Sequence, residues 1–191
     1  LDAAIEGQED FYDNNYQYDG SIWSSGVAGR GSITAANVFT ASATGFGESL
    51  EAVMFSSMDG VNQTYKVEVY KGLIDRAIPD GGLLAATETG ACPYGGIYTV
   101  ELSEPVPLEK GELFSVVVTV YAANEEEFAW IDEEGTMEAG EDGDHESIVS
   151  SCAGQSFLGL QDTGEWGHGN FRIKAFTNNN LPQATTVTAK A

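Results

Sequence analysis

Positive charge is scarce in this 191-residue chain: eight Lys and Arg stand against thirty Asp and Glu, a formal net charge of −22. A field of that sign repels phosphate backbones and anionic membrane surfaces, which excludes nucleic acid as a partner. Long apolar runs are missing too. None approaches the roughly eighteen residues a membrane helix needs, so insertion by a helix is excluded. The first residues, Leu1-Asp2-Ala3-Ala4, have neither the basic nor the apolar stretch of a signal peptide and no methionine, and the chain is read as a module of a longer parent. Histidine and cysteine number two each, with no CxxC spacing, so a zinc site is not expected. No Ser elbow, phosphate-binding glycine loop or dinucleotide fingerprint occurs.

What remains is the composition of a folded domain: 42% hydrophobic, 10% aromatic and 20% charged residues, in a length suited to one domain or one large β-sandwich. Cys92 and Cys152 are expected to form a structural disulfide, the competing readings being buried thiols or a thiolate activated by His145 or His168. A disulfide implies an oxidising compartment, hence an extracellular or cell-surface location.

The apolar residues come in short segments bounded by Gly, Pro, Asn and Asp, and rich in Val, Thr, Tyr and Phe, the signature of strands. The stretches 49–56 (SLEAVMFS) and 64–70 (TYKVEVY) read as a hairpin turning near Asp59-Gly60. Residues 96–102 (GIYTVEL) precede Pro105 and Pro107, which cannot donate to a ladder and mark a sheet edge. Leu113 to Tyr121 (LFSVVVTVY) is the most apolar run and is expected to be a central strand. Residues 146–157 and 170–177 (NFRIKAFT) supply later strands. Spacing of about ten residues predicts an all-β, jelly-roll-like antiparallel β-sandwich of about eight strands without long helices, over residues 1–178, with 179–191 a linker or tail.

Two compositional features suggest chemistry. Residues 125–146 hold 11 of the 30 acids. Glu141, Asp142 and Asp144 around Gly143 would offer calcium several oxygens, although the spacing is not that of an EF-hand, and a solvated acidic loop is the competing reading. The aromatic stretch 11–23 mixes rings with amides and carboxylates. Tyr16, Tyr18 and Trp23, with Trp166 from a Gly-rich loop, would stack on a sugar ring while Gln17 and Asp19 bond its hydroxyls; otherwise these rings pack on the sandwich. Paired carboxylates for glycoside hydrolysis are not singled out. Asn62-Gln63-Thr64 matches a glycosylation sequon.

In chain order, Asn15-Tyr16-Gln17-Tyr18-Asp19-Gly20, Ala36-Asn37-Val38-Phe39-Thr40-Ala41, 48–55 (ESLEAVMF), 65–70, Tyr98-Thr99-Val100-Glu101-Leu102, Pro105-Val106-Pro107-Leu108 with Gly111, 114–118 (FSVVV), Gly154-Gln155-Ser156-Phe157, Trp166 and 170–177 make up a recognisable run. It resembles the lectin-like domain that follows the catalytic domain of some bacterial and archaeal papain-like cysteine peptidases, over about residues 14–177. The resemblance implies an all-β accessory domain of an exported protein, directed at carbohydrate or a cell surface. The peptidase's nucleophilic segment does not occur here, so catalysis is not expected of this chain. The expected function is a non-catalytic binding module whose partners are a glycan or cell-surface ligand and the neighbouring domain of its parent. The rival readings are a structural module packed on that domain and a calcium-stabilised spacer.

Overall fold

The computed structural model describes residues 12–20, 24–43, 46–57, 59–134, 152–162 and 169–180. Among them every regular element is a strand: β1 (Asn14–Tyr16), β2 (Ser24–Arg30), β3 (Ser32–Thr40), β4 (Glu48–Ser57), β5 (Gln63–Lys71), β6 (Leu83–Cys92), β7 (Gly96–Leu108), β8 (Leu113–Tyr121), β9 (Phe128–Glu134), β10 (Ser156–Leu158), β11 (Gln161–Asp162) and β12 (Ile173–Asn179). All pairings are antiparallel. One sheet runs β1-β12-β4-β7, a second β11-β10-β3-β8-β5-β6, and β2 and β9 form a separate ribbon.

The apolar run at 113–121 becomes β8, flanked on both sides by β3 and β5. Strand alternation sends Phe114, Val116, Val118 and Val120 inward to meet Leu50, Val53, Phe55 and Ile173 of the opposite sheet. The other face of β8 is covered as well. There Val117 joins Ala36, Val38, Leu73 and Phe157 in a smaller cluster on the outside of the six-stranded sheet. Double burial explains why this strand reads as continuous hydrophobicity and not as alternation.

The expected hairpin of 49–56 with 64–70 does not form. β4 pairs with β7 and β12, whereas β5 pairs with β6 and β8 in the other sheet. Both strands bury apolar residues in the same interior, and they do so from opposite sides of it. The connection crosses between sheets on a buried amide: Gln63 Nε2 donates to Asp59 O at 3.0 Å, and Gln63 Oε1 accepts from Trp130 N at 2.9 Å. Gly60 and Asn62, both at positive φ, make the bend.

The prolines do mark an edge. Among the described residues β7 pairs only with β4, and its partner positions jump from Glu101 to Val106 as β4 steps from Ala52 to Leu50, a bulge that contains Pro105. The acidic segment departs from a solvated loop in its described part: 128–134 is a strand, and Asp132, Glu133 and Glu134 are buried. Of the strand expected over 146–157, residues 156–158 are observed, and 146–151 lie outside the described residues.

Two polar devices tie segments distant in the sequence into the sandwich. Glu48 is fully buried. It accepts from Tyr16 OH at 2.6 Å, Ala43 N at 3.1 Å, Asn14 Nδ2 at 3.0 Å and Thr177 Oγ1, so each carboxylate oxygen has two donors and the charge is solvated by protein. Beside it Asp13 Oδ2 accepts from Asn179 N at 2.8 Å, which sets the first described strand against the last. Arg76, in the loop between β5 and β6, donates to Val38 O at 2.9 Å, Gly154 O at 3.2 Å, Tyr18 OH at 3.3 Å and Thr40 Oγ1. Replacing Phe114 with Ala removes a fully buried ring from the centre of the core, and urea denaturation is expected to read a loss of about 3–5 kcal/mol.

Candidate functional site

Of the aromatic residues expected to stack on a ligand, Tyr16 and Tyr18 are engaged within the fold. Tyr16 packs on Phe39 and Phe114 with ring centroids 5.8 and 5.3 Å away, and its hydroxyl also accepts from Ser42 N at 2.7 Å. Burial, reinforced by the Glu48 contact, pushes its phenol pKa up. Tyr18 stacks on Phe39 at 5.0 Å and donates to Val38 O; burial raises its pKa against the opposing effect of Arg76. Asp19 is buried, with Oδ2 3.5 Å from Arg172 Nε and 3.4 Å from Lys174 Nζ, while Oδ1 has no hydrogen-bond partner among the described residues. Gln17 is exposed, its amide oxygen accepting from Asn15 Nδ2 at 3.2 Å.

Trp23, Trp166, Glu141, Asp142, Asp144, His145 and His168 lie outside the described residues. The described residues bordering those segments meet at Glu134. Gly20 N donates to Glu134 Oε1, Ser24 is its register partner, and Glu134 N donates to Asn170 O at 2.8 Å. Among the described residues no group of three or more His, Cys, Asp and Glu side chains is placed to hold a metal ion.

A cleft of about 500 Å³ opens at the opposite end of β12, where strand ends of the two main sheets approach each other. Lys71 at the end of β5 forms one wall; Pro107 and Leu108 at the end of β7, with Glu109 and Lys110 of the following turn, form the other. Phe46 and Asn180 complete it. Lys71 Nζ donates across the gap to Pro107 O and lies 3.8 Å from Glu112 Oε1. Asn180 is fixed by its backbone N–H to Gly47 O and by Ser49, which donates to its Oδ1 at 2.8 Å. Its Nδ2 makes no hydrogen bond to the described residues. Gly47 has φ +92°, and a Cβ there would stand 3.0 Å from Leu108 O and 3.3 Å from Asn180 Nδ2, so glycine is what lets the chain bring Phe46 over the cleft. Phe46 is 66% exposed, an apolar plate beside an amide, two ammonium groups and a carboxylate. Its signal in the sequence is an aromatic between two glycines, Gly45-Phe46-Gly47, a short polar context outside the aromatic-rich stretch.

The family profile described as "Lectin like domain" matches residues 15–177. The chain belongs to the lectin-like domain family. Two solved structures show the same fold. A clostridial cysteine protease, Cwp84, after propeptide cleavage, superposes with a TM-score of 0.63 at 24% identity over 87% of this chain. The cysteine protease and lectin-like domains of Cwp84, a surface layer associated protein of Clostridium difficile, superpose with a TM-score of 0.57 at 25% identity over 78% of this chain. The chain spans 40% and 33% of those two chains. A comparison with curated proteins returns no match. The family assignment concerns the lectin-like part and not the protease part of Cwp84.

In this lectin-like domain the expected disulfide is not made: Cys92 is a buried free thiol and Cys152 an exposed one. The topology separates them. Ser156, four residues after Cys152, aligns through β3, β8 and β5 with Ala86 of β6. Cys92 lies six residues further along β6, roughly 20 Å at strand rise, far beyond the ~7 Å Cα separation a disulfide spans. The oxidising-compartment inference drawn from that bond therefore has no support in the structure. Burial pushes the Cys92 thiol up to about 11. At pH 8 a maleimide or iodoacetamide reagent is expected to modify Cys152 alone in the folded domain and both thiols after denaturation, which intact-mass spectrometry reads directly. Asp19→Asn removes the charge facing Arg172 and Lys174, each about a fifth exposed, and is expected to lower unfolding free energy by about 2–4 kcal/mol in denaturant titrations.

Proposed function

We propose that this lectin-like domain is a non-catalytic binding module of an exported protein that attaches its parent to carbohydrate at a cell surface, and that the ligand enters the cleft beneath Phe46. The observation that carries this reading is the exposed Phe46 ring at the lip of a cleft furnished with the Asn180 amide and the Lys71 and Lys110 ammonium groups. Sugar recognition needs those two components together: an apolar face for the ring's CH groups, and convergent polar groups that fix the hydroxyls. Tyr16 and Tyr18 supply the first component only by leaving their packing on Phe39. Support from the relatives is the lectin-like family itself and the surface layer association of Cwp84.

The test is affinity electrophoresis and a glycan array with the 191-residue domain, using bacterial cell-wall polysaccharide as the first probe. Phe46→Ala and Asn180→Ala are each expected to weaken binding about tenfold, equivalent to ~1.4 kcal/mol, with the melting temperature unchanged. Binding that survives both changes and is lost in Gln17→Ala, Trp23→Ala or Trp166→Ala variants moves the site away from the Phe46 cleft. No binding to any glycan overturns the carbohydrate reading.

A further inference from the structure

The loop from Leu73 to the start of β6 carries an unusual load. Ile74 is 97% exposed, Ile78 50%, Leu83 70% and Leu84 47%, four large aliphatic side chains offered to water by one twelve-residue segment. Isolated exposed leucines are ordinary on a protein surface. A concentration of them is not, because each would be worth about 1.5–3 kcal/mol if covered.

The segment is also held in place. Leu73 N donates to Leu113 O at 3.1 Å, Ala77 N to Asp75 Oδ1 at 2.9 Å, and Gly81 N to Ile78 O at 3.0 Å. Ser115 Oγ donates to Pro79 O, and the Arg76 guanidinium anchors the loop to β3 and to Gly154. Gly82 closes the base so tightly that a Cβ would fall 2.4 Å from Lys71 O. With its backbone satisfied, the loop cannot turn its aliphatic tips inward without breaking these bonds, so the apolar surface is a fixed and preorganised feature.

We infer that this segment is the docking surface for an apolar patch on the cysteine protease domain of a longer parent chain. The inference rests on the reading, taken from the relatives, that the domain is part of such a parent. Size and charge select this occupant. The apolar area of four partly exposed aliphatics is on the order of a few hundred Å², well short of the ~800 Å² per partner that a freely associating complex buries. A second copy of this chain would in addition bring a second charge of −22 against the first. A domain on the same chain escapes both objections: tethering supplies an effective concentration on the order of millimolar, and contacts between domains of one chain are stable at about 600–1,500 Å². Asp75 and Asp80 on the same loop form a polar rim and restrict the mate to a surface without acidic groups at its margin.

The test compares the parent protein with the 191-residue domain, each carrying Ile74→Asp with Leu83→Asp, or the milder Ile74→Ser with Leu83→Ser. The parent's sequence is read first, and absence of a protease domain overturns the reading on which the inference rests. In the parent, both pairs are expected to speed limited proteolysis between the domains at least tenfold and to raise deuterium uptake on one face of the protease domain. In the isolated domain they are expected to leave the melting temperature and Phe46-dependent glycan binding unchanged. An unchanged interdomain cleavage rate in the parent overturns the proposal, as does an equal loss of stability in the isolated domain, which would make the segment part of its own core. Dimerisation of the isolated domain that the aspartate pair abolishes, measured by sedimentation at 100 μM or so, overturns it in favour of a second copy.

Discussion

Burial of β8 on both of its faces is the constraint around which the domain is arranged. One face closes the space between the two main sheets, where Phe114 and three valines meet the inward residues of β4 and β12. The other must be covered from outside, and the sequence supplies two pieces for it: Leu73, delivered by the loop after β5, and Phe157, delivered by the short strand β10. Those pieces are distant in the chain and are brought together by Arg76, whose guanidinium spans β3 and Gly154. The loop that exposes the aliphatic tips is thus the same loop that seals the outer cluster.

A chain so acidic has to hide some of its carboxylates, and it does so by giving each a specific environment. Glu48 is surrounded by four donors from three segments and acts as a fastener between β1, β4 and β12. Asp19 faces Lys174 of β12 and Arg172 just before it. Ser56 donates to Asp132, and Asn170 to Glu134 at 3.4 Å. Removing a donor from such a group leaves an uncompensated charge indoors, which is why these polar positions constrain the fold as firmly as the valines do.

The elements that were legible in the sequence are those whose pattern reports burial. The continuous run at 113–121 and the alternation at 173–177 gave the central strand and the last strand, and Pro105 and Pro107 gave an edge. Partner choice was not legible. The turn at Asp59-Gly60 is chemically a hairpin turn, and only the buried amide of Gln63, invisible as such in a sequence, shows that it crosses between sheets. Residues 128–134 looked like part of an acidic loop because composition outweighed the alternation Phe128, Trp130 and Asp132 against Ala129 and Ile131. In the aromatic stretch Tyr16 and Tyr18 pack on Phe39, the alternative that the sequence left open, and Trp23 lies outside the described residues. Tyrosine packs as readily as it stacks on ligands, and the exposed Phe46 lies where the surrounding sequence is small and polar. Cysteine parity carried no geometry at all, and the two thiols belong to opposite ends of the six-stranded sheet.

The fastening of the first described strand to the last has a topological meaning. Asp13 and Asn179 touch at the same edge of the four-stranded sheet, so the path into the sandwich and the path out of it share one doorway. A polypeptide ring sealed at that doorway and cut open at an exposed bend would retain each strand neighbour it now has. For a host protein, such a unit behaves as a graft: it can be set into a surface loop or excised from one, and the host's own ends are left within a few ångströms of where they would otherwise have joined.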